Sequence, residues 1–194
     1  GTVELAAHTI ALQIAAFAFQ IPFGISQAAT IRVGYHFGAA DRDGIARAGW
    51  AALAASIAFM ALPASLMLLA PRLVLSVYVD VDAAANAMMI AFAVQYLAIA
   101  AAFQLFDGVQ AVAAGVLRGL QDTRVPMMIA LFGYWLPGFG TSVWLGFGTG
   151  LAGIGIWIGL AAGLIVVSAL LLHRWHRRER LGLVPAIPAR IGNA

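Results

Sequence analysis

Residues 83–118 read AAANAMMIAFAVQYLAIAAAFQLFDGVQAVAAGVLR. From Ala83 to Phe106 no side chain is charged; a single carboxylate, Asp107, follows, and the next charge is Arg118. A helix needs about 20 apolar residues to cross a hydrocarbon core of about 30 Å. The stretch therefore predicts a transmembrane helix with one ionisable group inside it. Asp107 lies eleven residues before Arg118, about 16 Å along a helix, which puts it near mid-membrane.

Outward from this run the pattern repeats. Leu5 to Ile31, Ala48 to Pro71, and Val125 to His173 are also free of charge. The last gap is too long for one crossing and breaks at the glycine-rich segment 146–153, giving crossings near Pro126–Leu145 and Ile154–Leu172. Five helices and no strand are expected: an all-α, polytopic transmembrane bundle. Composition agrees, with 63% apolar and 10% charged residues and 21 glycines among 194, and a mean hydropathy of +0.94. A soluble domain carries roughly a quarter charged residues. The absence of cysteine excludes disulfides, thiolate metal sites and cysteine nucleophiles. Net charge is +3, and all the positive side chains are arginines in short clusters beside apolar runs, so nucleic acid is not an expected partner and membrane lipid is.

Short loops rich in basic residues stay on the cytoplasmic side. With the first helix running inward, Arg32, Arg42, Arg47, Arg118, Arg124, Arg174, Arg177, Arg178, Arg180 and Arg190 all lie inside; only Arg72 lies outside, beside Asp80 and Asp82. Tyr35, Trp50 and Trp175 then fall near inner ends, and Tyr78 and Trp144 near outer ones, where amphipathic rings prefer to sit. The first apolar run lacks a basic leader and is too long for a cleavable signal. An outer amino terminus without such a signal leads to the expectation of a carboxy-terminal piece of a longer membrane protein, with residues 1–180 as transmembrane lobe and 181–194 as a loose cytoplasmic tail.

A carboxylate at mid-membrane costs about 2.5–3.5 kcal/mol on insertion scales. It either faces a wet cavity on an ion path or is held as a structural group by neighbouring helices. Helical spacing puts Tyr96, Phe103, Gln110 and Ala114 on the face of Asp107, with Gln104 at its edge, so Tyr96, Phe103, Gln104 and Gln110 are candidate cavity residues. The first crossing carries a second polar line of Thr9, Gln13, Gln20 and Gln27. Its glutamines either line a substrate cavity or bond across to adjacent helices. Pro22 is expected to bend that helix.

Gly155, Gly159 and Gly163, and Gly115 with Gly119, recur every four residues, which lets helices approach closely. His173 and His176 lie in an arginine cluster expected to be solvated positive charge, and no metal site is indicated. An aspartyl protease needs a second buried carboxylate, and Ser26 lies five turns from His8 on one helix, too far for nucleophilic catalysis. No enzyme and no cofactor are expected.

Several motifs carry a resemblance. Leu5-Ala6-Ala7-His8, Ile21-Pro22-Phe23-Gly24, Ala29-Thr30-Ile31-Arg32-Val33-Gly34 and Phe37-Gly38-Ala39 resemble the eighth helix and following loop of the MATE (multidrug and toxic compound extrusion) family. Phe106-Asp107-Gly108-Val109-Gln110, Ala114 to Gly119, and Asp122-Thr123-Arg124-Val125-Pro126 are similar to the tenth helix and next loop of its NorM-like branch. The match runs from the start of the chain to about Arg180.

The resemblance implies helices eight to twelve of a twelve-helix antiporter in a bacterial inner membrane. Such a protein exports amphipathic, often cationic xenobiotics by alternating access, driven by Na+ or H+. The amino-terminal lobe and the seventh helix would be its partners. Asp107 matches the aspartate that takes part in cation binding in the NorM-like branch, including any Na+, and its usual acidic partner belongs to the seventh helix. Some members place a tyrosine where this chain has Phe103, which removes an oxygen ligand. Two alternatives are a lipid or polysaccharide-precursor flippase of the same superfamily, which would use basic cavity residues, and a non-transporting membrane remnant.

Overall fold

The structure is a computed structural model that describes residues 1–186. Five helices are long and apolar enough to cross a membrane. The first is α1 (Thr2–Gly38) and the second α2 (Arg42–Leu69), followed by a short α3 (Pro71–Leu75). The third crossing is α4 (Ala87–Gly119), entered through a single 3-10 turn at Ala84–Asn86. The fourth combines α5 (Arg124–Gly133), a wide π-type turn (Tyr134–Phe139) and α6 (Gly140–Gly148), and the fifth is α7 (Ala152–His176). These are the five crossings predicted from the charge gaps. The break between the last two falls at residues 149–151, where Gly150 has φ +75°, a backbone conformation glycine adopts without penalty.

The central element is α4, which packs on α1, α2 and α7. α1 buries Ala7, Ala11, Ala15, Ala18, Pro22, Ser26, Ala29 and Val33, a stripe of mostly small residues at helical spacing, and runs unbroken through Pro22. The glycines of α4 receive it: a side chain at Gly115 would collide with Ser26 of α1, and one at Gly119 with Thr30 and Val33. At that distance hydroxyls reach the facing backbone. Ser26 Oγ donates to the Ala111 carbonyl at 2.7 Å and Thr30 Oγ1 to the Gly115 carbonyl at 2.9 Å. Likewise Gly155 and Gly159 of α7 lie against Leu145 and Ser142 of α6, and Gly163 against Gly133 and Gly138 of the fourth crossing. The four-residue glycine repeats are packing seams, as their spacing predicted.

Two apolar clusters fill the bundle. One gathers Ala7, Met67, Leu75, Tyr96, Leu97, Phe103 and Trp157 toward one end, the other Val33, Ile45, Leu53, Val116, Leu171 and Trp175 toward the opposite end. Asp107 stands on α4 between them.

Two expectations for the arginine-rich end are corrected. In the 173–178 cluster His173, His176 and Arg177 are exposed as expected, but two arginines are not simply solvated. Arg174 grips Asp122 of the α4–α5 turn through Nε (2.6 Å) and Nη2 (3.1 Å), and Arg178 is buried on the Trp175 ring. Trp175 is not a half-wet interface ring but fully buried, its indole seated in the notch that Gly49 leaves on α2. At the α1–α2 turn Asp41 caps α2 by accepting from the Gly44 N–H at 2.8 Å and contacts His36 Nδ1 at 2.9 Å. The Gly44 amide, with His36 and Arg47 nearby, holds the Asp41 carboxyl below its ordinary 3.8. Arg190 and the end of the proposed 181–194 tail lie outside the described residues.

Candidate functional site

The fourth crossing decides the site. Pro137 has no N–H to donate, so the helix cannot continue regularly through it; here the backbone opens into the wide turn of Tyr134–Phe139. Such turns displace a whole face of a helix and recur at functional positions. This one presents Tyr134, Trp135, Gly138 and Phe139 to an open cavity of about 740 Å3 bordered by α1, α4, α6 and α7. From α1 come Leu12, Ala15, Ala16, Phe19 and Gln20; from α4, Phe103 and Asp107; from α6, Ser142, Val143 and Phe147; from α7, Ile156, Trp157, Leu160 and Leu164.

The wall is predominantly apolar and aromatic. Among the described residues its one carboxylate is Asp107, and no Lys, Arg or His stands on it. Neutral oxygens come from Gln20, Tyr134 and Ser142; Gln20 also donates back to the Ala16 carbonyl of its own helix (3.3 Å), and Ser142 donates to the Ile156 carbonyl (3.1 Å). Trp157 is held rigidly. It stacks on Tyr96 (5.9 Å, 16°) and on Phe103 (5.6 Å, 19°), and its indole N–H donates to His8 Nδ1 at 3.1 Å. The volume suits one drug-sized molecule. Aromatic faces attract organic cations, and a carboxylate on such a wall supplies a countercharge for one.

Of the residues singled out in the sequence, Asp107, Phe103 and Gln20 meet at this cavity. Tyr96 lies behind it as the buried backing of Trp157. Gln104 is fully buried, its amide N and O both without a hydrogen-bond partner among the described residues. Gln110 is half-buried, Gln13 and Gln27 are exposed, and none of these three lies on the wall. Among the described residues the side-chain bonds from α1 to the α4 backbone come from Ser26 and Thr30 rather than from the glutamines. Sequence reasoning passed over Phe19, Tyr134, Trp135, Phe139 and Trp157; the Pro137-Gly138 pair in mid-crossing was the signal for the first three residues beyond Phe19. Among the described residues no group of three or more His, Cys, Asp or Glu is placed to hold a metal.

Residues 1–144 match the family model described as MatE. The chain is 54% identical over 178 residues to the probable multidrug resistance protein NorM of Mesorhizobium japonicum, covering 92% of this chain and 38% of that protein. It is 48% identical to the multidrug resistance protein NorM of Burkholderia vietnamiensis, covering 91% and 38%, and 48% identical to the probable multidrug resistance protein NorM of Brucella suis, covering 97% and 40%. The chain thus spans 38–40% of the length of these curated relatives. In fold it is similar to the crystal structure of the eukaryotic MATE transporter AtDTX14, with a TM-score of 0.82 over 94% of this chain and 42% of that one at 21% identity.

Proposed function

The chain belongs to the MatE family, and from that premise we propose that it forms part of a cation-coupled antiporter exporting amphipathic, often cationic compounds. The observation that carries this is the cavity of about 740 Å3 whose aromatic wall holds Asp107 as its one carboxylate. A proton or Na+ on Asp107 neutralises the one charge that the described residues bring to the chamber; its departure restores a charge that is costly at low dielectric unless a cationic substrate replaces it. Loading and unloading therefore alter which packing of the bundle is cheaper, and that difference is what a ligand needs to shift a conformational equilibrium.

A proton needs only the carboxylate. Na+ as the transported ion would recruit the oxygens of Gln20, Tyr134 and Ser142 or of another part of the full-length protein. The flippase alternative loses ground because no basic side chain lines the wall to meet a phosphate. The clustering of basic residues supports an orientation with the Arg42 and Arg174 ends of the helices on the cytoplasmic side of a bacterial inner membrane and the start of α1 outside.

The test replaces Asp107 by Asn in the full-length transporter and measures ion-driven dye efflux from cells at matched expression. Loss of efflux is expected. Coupling equal to that of the unmodified protein would overturn the assignment.

A further inference from the structure

At the arginine-rich end of the bundle, well away from Asp107, α2 begins where α7 finishes. Arg42, Ile45 and Gly49 follow one another along one face of α2, and Ile45 and Gly49 are buried. The Trp175 indole fills the notch at Gly49. Arg178 follows in the turn that ends α7, its backbone N–H donating to the Trp175 carbonyl, and lies close enough to Arg42 to feel its charge.

Arg178 is 7% exposed. Its guanidinium carbon lies 4.4 Å from the centre of the Trp175 ring, and Nη1 donates to the Trp175 carbonyl at 3.2 Å. Its Nε–H is buried with no partner among the described residues, and so is the Nε–H of Arg42. Burial pushes the Arg178 guanidinium below its ordinary value; Glu179 opposes this and the Arg42 charge adds to it.

None of the nearby carboxylates hydrogen-bonds either buried Nε–H among the described residues, and Asp43, beside Arg42 in the chain, is exposed. Asp41 serves Gly44 and His36, Asp122 serves Arg174, and Glu179, exposed, stays 3.9 Å from Arg178 Nη2. Two like charges with buried, unspent N–H donors are expensive. An anion with several oxygens removes that expense, and the planar guanidinium fork matches phosphate geometry in particular.

We propose that Arg42 and Arg178, floored by Trp175, bind a phosphate-type anion: the phosphodiester headgroup of an anionic lipid, or free phosphate. The site stands where two membrane-crossing helices end, the level of lipid headgroups, and basic pockets between helix ends are suited to such headgroups.

The full-length protein in detergent is titrated with dioleoylphosphatidylglycerol and, separately, with dioleoylphosphatidylcholine, and retention is read by native mass spectrometry. Preferential retention of phosphatidylglycerol is expected, weakened roughly tenfold in Arg42→Gln and in Arg178→Gln, and unchanged in Arg180→Gln, an exposed arginine nearby. A second arm adds millimolar inorganic phosphate. If phosphate alone binds and depends on Arg42, free phosphate is the source; if only phosphatidylglycerol does, the lipid is. Should Arg178→Gln fail to fold, Arg42→Gln decides, because that side chain is only partly buried. The proposal is overturned by equal retention of both lipids with no Arg42-dependent phosphate binding, by full retention in Arg42→Gln, or by an equal loss in Arg180→Gln.

Discussion

Adding one methyl group at Gly155 tests whether the helix seams hold the cavity in shape. A Cβ there would sit 2.6 Å from the Leu145 carbonyl carbon, 2.7 Å from its oxygen and 2.7 Å from the Gly146 nitrogen. All three are backbone atoms and cannot rotate aside, so α6 and α7 must part by about 1 Å to restore ordinary contact. Overpacking of this kind costs about 1–3 kcal/mol. The neighbouring bond from Ser142 to the Ile156 carbonyl, already 3.1 Å long, would stretch past useful geometry and add about 1 kcal/mol. Gly140→Ala is the control, since nothing lies within 4 Å of its Cβ position and alanine in a helix gains about 0.5–1 kcal/mol over glycine. That helical gain is common to both variants and cancels, so tryptophan-fluorescence melts in detergent should place Gly155→Ala about 2–4 kcal/mol below Gly140→Ala. Because Ile156 and Trp157 are cavity walls, substrate affinity should fall as well. A Gly155→Ala variant that melts alongside Gly140→Ala would refute the reasoning.

Three further outcomes follow from other contacts. Asp122→Ala should lower stability by about 2 kcal/mol by leaving the Arg174 guanidinium unpaired, and adding Arg174→Met should recover most of it; a double-mutant cycle in thermal melts reads the coupling. Trp157→Phe keeps an aromatic ring between Tyr96 and Phe103 but removes the donor to His8, and should cost about 1 kcal/mol in the same melt. The Asp41 carboxyl is depressed in the folded state, first by the Gly44 amide, so its charged form stabilises the protein above 3.8 and that stability is lost as pH falls through the lower folded value. The unmodified protein should therefore melt above Asp41→Asn at about pH 6, and the gap should narrow as pH is lowered below 3.8; a gap independent of pH would contradict the capping role.

The five crossings were legible because charge exclusion from hydrocarbon is severe, and the gaps between Glu4, Arg32, Arg47, Arg72, Asp82 and Arg118 state it directly. The packing glycines were legible for a similar reason: spacing alone puts Gly155, Gly159 and Gly163 on one face. The cavity wall was not. Helical periodicity grouped Tyr96 and Gln110 with Asp107, but which part of that face meets the chamber depends on how α7 and the fourth crossing lie against α4. Trp157 arrives between Tyr96 and the open space, and the wide turn at Pro137 swings Tyr134 and Trp135 inward. Nor could local sequence show that Arg178 lies buried on Trp175, because the notch that receives the indole is Gly49, far away on another helix.

Exchange at Asp107 is tested most directly by proton and sodium release when an organic cation binds. The full-length protein in weakly buffered detergent is mixed with a cationic dye, and a pH indicator and a sodium electrode follow the solution. Up to one proton or Na+ should leave per dye bound, and none from Asp107→Asn. Equal release from both proteins would contradict the claim that this carboxylate carries the coupling ion.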